Sequence, residues 1–274
     1  MNIHNKQIKD AFDAKSLIKV IAGIDNTNIK NVIKIAKAAD LSQATYIDIA
    51  ANVKLVKILK KISQLPICIS SINSIDIYNC ILAGADIIEI GNYDFFYNKG
   101  IYLTAEQIIS LVLEVKSFKA NIDICVTIPY YISLFEQMQL AKKLYIIGVN
   151  ILQTEGISKL HKLQSPGSCF DLINVKNTFL PSLLSTYMIS KSVNIPVITA
   201  SGSKNIISHI PSNYGASGIG VGSSLKNQMS IRDIVKYINQ SYCYMMSSDL
   251  LMNDCHGVNY NLRAILRTSL IFKK

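Results

Sequence analysis

Two textures alternate along this chain. Short, almost unbroken apolar runs are separated by longer stretches in which apolar residues recur at helical spacing. The runs predict strands at Leu17–Asp25, Ala44–Ala50, Pro66–Ile72, Asp86–Asn92, Asp123–Pro129, Tyr145–Leu152, Pro196–Ser201 and Gly218–Gly222. Between them, Val32, Ile33, Ile35 and Ala36 mark the apolar face of a helix over Ile29–Ala39, and Val53–Ile62, Ile75–Leu82, Ser133–Leu144, Thr178–Ser192 and Asn205–Ile210 read the same way. Thr104 with Gln107 forms a capping-box start for the helix after the fourth strand, and Ser230 caps a last helix reaching Tyr242. One more amphipathic stretch, Asn5–Ala14, precedes the first strand and is expected to plug the bottom of the fold. Strands apolar on both faces need cover on both faces, so βα alternation implies a parallel sheet beneath helices. About eight such units in 274 residues match a closed (β/α)8 TIM barrel, whose usual length is ~250 residues.

Two stretches break the pattern. Gln153–Asn177 is long and polar and carries Gly156, Pro166 and Gly167, which is how a lid over a site reads. After the barrel, taken as residues 1–244, the segment 245–274 is basic through Arg263, Arg267, Lys273 and Lys274, with a weak amphipathic helix over Leu262–Phe272. It reads as a separate tail, loosely attached or touching a partner.

A barrel carries its chemistry at the C-terminal ends of its strands, and strand side chains alternate in and out. On that basis Lys19, Gly23 and Asp25 share a face of the first strand, Asp48 sits on the second, Ser70 on the third, Glu89 on the fourth with Asn92 and Asp94 beyond it, Thr127 on the fifth, Gln153 and Glu155 after the sixth, and Thr199 on the seventh. Charges inside apolar strands are costly unless they meet, so Lys19, Asp48 and Glu89 are expected to pair. Two readings of that trio stand side by side. In one, Glu89 and Asp48 move protons and Lys19 serves as charge partner or forms a Schiff base with a carbonyl substrate. In the other, the trio is an internal ion-pair network that fills the barrel. The remaining polar positions, Asp25, Ser70, Asn92, Asp94, Thr127, Gln153, Glu155 and Thr199, are expected substrate contacts.

The ends of the seventh and eighth strands are rich in small residues: Ser201, Gly202 and Ser203, then Gly220, Gly222, Ser223 and Ser224. Backbone N–H groups left uncovered by such residues can converge on an anion, and this is where many barrels hold phosphate. The run is not a dinucleotide fingerprint, because it follows the last strand and no helix opens inside it. It resembles the grip of barrels that hold phosphorylated sugars, flavin mononucleotide or phosphoribosyl groups. The expected ligand is therefore a small phosphorylated metabolite, and no cofactor is identified.

Composition narrows the picture further. A net charge of +10 favours anionic partners. The lysines are spread over helix faces, as at Lys54, Lys57, Lys60 and Lys61, rather than gathered in a tract with aromatics, so nucleic acid is not expected. No apolar run is long enough to span a membrane. The six cysteines are widely spaced with no CxxC pair, which reads as buried reduced thiols. His4, His161, His209 and His256 avoid the strand ends, so neither a metal site nor a histidine triad is expected. The polar, partly acidic N-terminus reads as neither secretory signal nor transit peptide. Homo-oligomerisation is left open.

Four segments carry a resemblance: Asp86-Ile-Ile-Glu-Ile-Gly-Asn-Tyr-Asp, Gln153-Thr-Glu-Gly, Ala200-Ser-Gly and Gly218-Ile-Gly-Val-Gly-Ser. Together they resemble the hypothetical chloroplast reading frame twenty-three family over about Leu17–Tyr242. That resemblance implies a TIM barrel encoded in the plastid and located in its stroma, and it implies no activity. More distantly, the barrel looks like epimerases of amino-sugar phosphates and like thiazole synthase, both of which use a strand-end lysine with carboxylates. That likeness is one of fold and points to no one reaction. Because the residue pattern shows no metal or redox motif, isomerase or lyase chemistry is the expectation, with a non-catalytic phosphate-binding or regulatory barrel as the alternative.

Overall fold

The computed structural model describes residues 2–91, 93–156, 180–201, 212–222, 225 and 230–246. Eight parallel strands close into a barrel in sequence order: β1 (Leu17–Gly23), β2 (Tyr46–Ala50), β3 (Ile67–Ser71), β4 (Ile87–Ile90), β5 (Asp123–Ile128), β6 (Ile151–Thr154), β7 (Val197–Ser201) and β8 (Gly218–Val221). The helices are α1 (Lys6–Asp13), α2 (Ile29–Asp40), α3 (Val53–Ile62), α4 (Ser74–Leu82), α5 (Asp94–Tyr97), α6 (Ala105–Ser117), α7 (Leu134–Ile146), α8 (Leu180–Ser190) and α9 (Ile231–Met246). Asparagines at 28, 52 and 73 cap α2, α3 and α4, and full capping boxes open α6 at Thr104 with Gln107 and α7 at Ser133 with Glu136.

Two cores result. The larger lies between strands and helices and includes Ile18, Val20, Ile47, Ile49, Ile69 and Leu152. The smaller fills the bottom of the barrel with Leu17, Tyr46, Cys68, Ile87, Cys125, Ile151 and Ile198, sealed from below by Ile3, Ile8 and Phe12. The N-terminal segment is thus the expected plug. It is tied down by Asp123, whose buried carboxylate accepts the His4 and Asn5 amides at 3.0 and 3.2 Å.

Several local expectations are corrected. The sixth strand is Ile151–Thr154 rather than Tyr145–Leu152, because α7 runs on to Ile146 and Gly148 turns the chain before the strand. Tyr145 and Ile146 are exposed apolar residues at a helix end, which in sequence mimic a strand entry. The stretch between the fourth strand and the helix opened by Thr104, to which the sequence assigns no element, contains the short helix α5. The last helix passes Tyr242 and ends at Met246. The expected helix 205–210, most of the 153–177 segment and the tail from 247 onward lie outside the described residues. Among the described residues no helix is long and apolar enough to cross a membrane.

Candidate functional site

Above the apolar floor, six of the strands turn polar side chains inward: Lys19, Asp48, Ser70, Glu89, Thr127 and Gln153, each at most 1% exposed. Register explains why they meet. Ser70 pairs with Glu89 across β3–β4 and Thr127 with Gln153 across β5–β6, while Lys19 pairs with Gly220, which adds no side chain on the eighth strand. Parallel pairing in a tilted barrel carries these positions to one level.

The Lys19 ammonium is the hub. Its Nζ lies 3.1 Å from Oδ2 of Asp48, donates to Oε1 of Gln153 at 2.8 Å and contacts Oε2 of Glu89. Glu89 Oε1 accepts from Thr127 Oγ1 and from Gln153 Nε2, both at 2.7 Å, and Ser70 donates to Oδ1 of Asp48 at 2.6 Å. Burial alone would lower the lysine pKa, but Asp48 and Glu89 outweigh it and hold it above its ordinary value. Lys19 is therefore a charged ammonium with acceptors around it. Burial pushes the Glu89 carboxyl upward, Lys19 pulls it back, Asp48 pushes it up again, and the net direction is upward. The arithmetic of charge explains this: one cation faces two carboxylates, so the second carboxylate gains by taking a proton. Cys68 and Cys125 sit directly below, and burial holds both thiols neutral. Donor atoms of Asp48, Cys68 and Glu89 lie within 4.8 Å of one another, which is metal-ligand spacing, but the Lys19 ammonium already supplies the positive charge there.

At the rim, Glu155 follows Thr154 and is 8% exposed. Its Oε1 accepts from the Tyr97 hydroxyl and, at 3.0 Å, from the Tyr130 amide. Burial and the nearby Asp94 carboxylate push its pKa well above the usual range, against those two bonds. Tyr97 is the centre of an aromatic group, with Tyr102 stacked at 5.2 Å and Tyr130 and Tyr131 edge-on at 5.4 Å each.

Other expected contacts are not brought to this site. Thr199 faces outward: its hydroxyl meets Thr186 of α8, which continues through Thr154 at 2.7 Å to Ser182 at 3.0 Å. Alternation is the reason, since Ile198 takes the inward position beside it. Asp25 is exposed in the turn after β1, because the register slips between Ile21 and Gly23, and Gly23 (φ 110°) ends the strand's regular alternation. Asp94 is an exposed residue of α5. Asn92, Gly202, Ser203, Ser223 and Ser224 lie outside the described residues, as does the Ser201 side chain.

The glycines have packing reasons of their own. A Cβ on Gly218 would meet Leu17 at 2.7 Å, and one on Gly220 or Gly222 would meet Ile21 at 3.1 or 3.0 Å. The first strand's side chains lean over the eighth. One glycine that sequence reasoning passed over belongs to the site: a Cβ on Gly91 would lie 2.2 Å from Oγ1 of Thr127, so Gly91 makes room for the threonine that bonds Glu89. Its place directly after the Glu89-bearing strand was the available signal.

The barrel is similar to solved structures of low identity. Thiamine phosphate pyrophosphorylase from Pyrococcus furiosus aligns with a TM-score of 0.53 at 16% identity, over 85% of this chain and 98% of that one. 3-Hexulose-6-phosphate synthase from Salmonella typhimurium aligns at 0.57 and 14%, over 84% and 99%. These likenesses concern the fold. Sequence relatives are much nearer. The uncharacterized protein ycf23 of Antithamnion sp. is 40% identical over 93% of this chain and 99% of its own length, and that of Cyanophora paradoxa is 41% identical over 86% and 95%. The name ycf23 denotes a chloroplast reading frame of algae, which makes this a plastid-encoded, plastid-located chain. With that identity and coverage, and with the family model "Protein of unknown function (DUF561)" matching residues 3–250, the chain belongs to the DUF561 family that includes the ycf23 proteins.

Proposed function

We propose that the barrel mouth binds a small phosphorylated metabolite and catalyses proton transfer on it, as an isomerase or a lyase. The observation that carries the reading is the buried polar layer with one cation for two carboxylates. Such a layer is short of positive charge, and it raises the proton affinity of Glu89. A carboxyl moved toward neutral pH is what general acid–base catalysis needs. In this reading Glu89 exchanges the proton, Asp48 shares the charge, and Lys19 is the charge partner; its bonds to Asp48, Gln153 and Glu89 disfavour a Schiff base.

The phosphate part has weaker and independent support. β7 and β8 end side by side on the same rim, with Ser201 paired to Val221. The chain carries a net charge of +10. Two fold neighbours are named for phosphorylated compounds. One observation favours the non-catalytic alternative: Lys19, Asp48 and Glu89 are closed off from solvent and bonded to one another, as a structural network would be.

Thermal-shift screening against phosphorylated sugars, phosphoribosyl compounds and flavin mononucleotide tests the binding. A ligand at a hundred times its dissociation constant adds about 2.7 kcal/mol of stability. No shift with any phosphorylated compound would overturn the reading. A shift that survives in Glu89→Gln with every proton-exchange activity intact would leave only the non-catalytic barrel.

A further inference from the structure

The polar layer is not the only place where the barrel presents a carboxyl group. Glu155 follows the end of β6, two residues beyond Gln153, and continued alternation puts it on the same face one level nearer the mouth. Its setting differs from that of Glu89 in every respect that governs protonation. Among the described residues no lysine, arginine or histidine pairs with it. The charged groups that bear on it are Asp94 from α5 and Glu89 from β4, both acidic, and both act to keep it neutral. Tyr97, which bonds it, packs edge-on against the Tyr130 and Tyr131 rings, and Glu155 itself is only 8% exposed, so burial favours the neutral form.

The hydrogen bonds decide which oxygen carries the proton. The Tyr97 hydroxyl and the Tyr130 amide both donate to Oε1. An oxygen that accepts twice is the carbonyl oxygen of a carboxylic acid, so the proton resides on Oε2. Among the described residues Oε2 has no hydrogen-bond partner. Glu155 thus presents an O–H donor at the rim, without an acceptor among the described residues.

Building on the proton-transfer reading above, we propose that Glu155, held by Tyr97 and the Tyr130 amide, is the mouth's proton donor, and that its acceptor is the carbonyl oxygen of a phosphorylated carbonyl compound. A neutral donor suits an oxygen that is uncharged when bound and becomes negative during reaction. The step balances within the barrel. A base, Glu89 in the reading above, takes a proton from the carbon next to the carbonyl. The C–H electron pair becomes a C=C bond, the carbonyl π pair moves to oxygen, and that oxygen takes the Oε2 proton, leaving Glu155 as carboxylate. For an α-hydroxy carbonyl compound Glu89 then returns its proton to the former carbonyl carbon, while the hydroxyl on the deprotonated carbon gives its proton to Glu155 and becomes the new carbonyl; both groups are regenerated, with no oxidant or reductant required. Tyr97 is a positioning residue in this scheme, since it touches Glu155 rather than the ligand.

The test uses the full chain and three phosphorylated probes: ribose 5-phosphate, ribulose 5-phosphate and the carbonyl-free ribitol 5-phosphate. Two quantities are read, thermal shift and deuterium exchange from heavy water into the carbon next to the carbonyl. The wild-type chain should exchange deuterium into at least one carbonyl probe. Glu155→Gln, which keeps the shape and the Oε1 acceptor, should slow exchange by on the order of a hundredfold or more while the ribitol 5-phosphate shift is unchanged. Tyr97→Phe should slow exchange less and should displace its pH profile, which a merely structural tyrosine would not do. In the unliganded protein the infrared band of a neutral carboxylic acid at pH 7 should vanish in Glu155→Gln. Exchange at the wild-type rate in Glu155→Gln, or no such band in the wild type, overturns this proposal and leaves phosphate binding standing. If none of the three probes shifts the wild type, and the wider panel also fails, the phosphate reading falls and this one falls with it.

Discussion

The ammonium nitrogen of Lys19 lies 3.1 Å from Oδ2 of Asp48, on the neighbouring strand, with neither residue more than 1% exposed. Glu89 closes on the same nitrogen from across the barrel. A buried ion pair of this kind costs desolvation and is repaid only while every partner is present.

Lys19→Met should therefore destabilise the fold by on the order of 3–5 kcal/mol, the usual cost of leaving a buried carboxylate unpaired. The loss should depend on pH. Without the ammonium, the largest influence that pulls Glu89 down is gone and only weaker hydrogen bonding from Thr127 remains, so its carboxyl, already raised by burial, rises further. A carboxyl whose folded value exceeds its unfolded value of about 4.3 contributes fully at low pH and loses that contribution as pH rises through the folded value. Urea unfolding should show the variant closer to wild type at pH 5 than at pH 8. A deficit that is flat over that range would mean that Glu89 is not the group left uncompensated.

Gly91 and Thr127 should behave as a coupled pair. Gly91→Ala drives a Cβ to within 2.2 Å of Oγ1 and 2.4 Å of Cβ of Thr127. The threonine must move off Glu89, at a cost of about 1–3 kcal/mol for the overpacking. Thr127→Ala removes the obstacle and the same hydrogen bond. The double variant should be more stable than the sum of the two single effects predicts, by a margin measurable in a double-mutant cycle. Strict additivity would show that the glycine serves some other purpose.

How far the sequence discloses this molecule depends on which physical signal each part leaves. Strand and helix alternation is written in apolar periodicity, and the charged residues inside strands had to meet, so the barrel and the trio Lys19, Asp48 and Glu89 are legible in the residue pattern itself. The plug is legible too, because Ile8 and Phe12 share a helical face. What fails is anything that depends on one residue of phase. Tyr145 and Ile146 look like a strand entry but end a helix. Thr199 is one position from the inward Ile198 and so faces α8 instead of the mouth. Glu155 is legible as a polar position after the sixth strand but its burial is not, because its partners Tyr97 and Tyr130 are distant in sequence. Gly91 leaves no signal but its position, since the side chain it accommodates belongs to another strand.

The outward placement of Thr199 gives a discriminating variant. Its hydroxyl belongs to a buried chain with Thr186, Thr154 and Ser182 between the barrel and α8. Thr199→Val keeps the shape and strands one member of that chain, which costs about 1–3 kcal/mol. Ligand-induced thermal shifts, measured relative to each protein's own melting temperature, should be the same in variant and wild type. A weakened ligand shift would put Thr199 in the site after all.

Glu155 makes the sharpest pH prediction. Burial first, then Asp94, place its folded pKa well above the ordinary carboxylate value. The sign follows from linkage. Below about pH 4.3 the carboxyl is protonated in folded and unfolded chains alike, and the contribution of the buried acid is complete. As pH rises, the unfolded chain releases the proton first, which draws the equilibrium toward unfolding until the folded value is passed. Glu155→Gln has no proton to release, so its stability relative to wild type should climb with pH from 5 upward. At low pH the variant should be equal or slightly worse, because an amide cannot reproduce the acid's O–H. At alkaline pH it should be the more stable protein. Chemical denaturation at a series of pH values checks this without any ligand. The Tyr97 hydroxyl supplies an internal control: Tyr97→Phe deletes a bond that favours the charged form, so it should move the same transition to higher pH rather than abolish it. A parallel pH dependence in wild type and Glu155→Gln would mean that the rim carboxyl is ionised in the folded barrel, and no proton would be waiting there for a ligand.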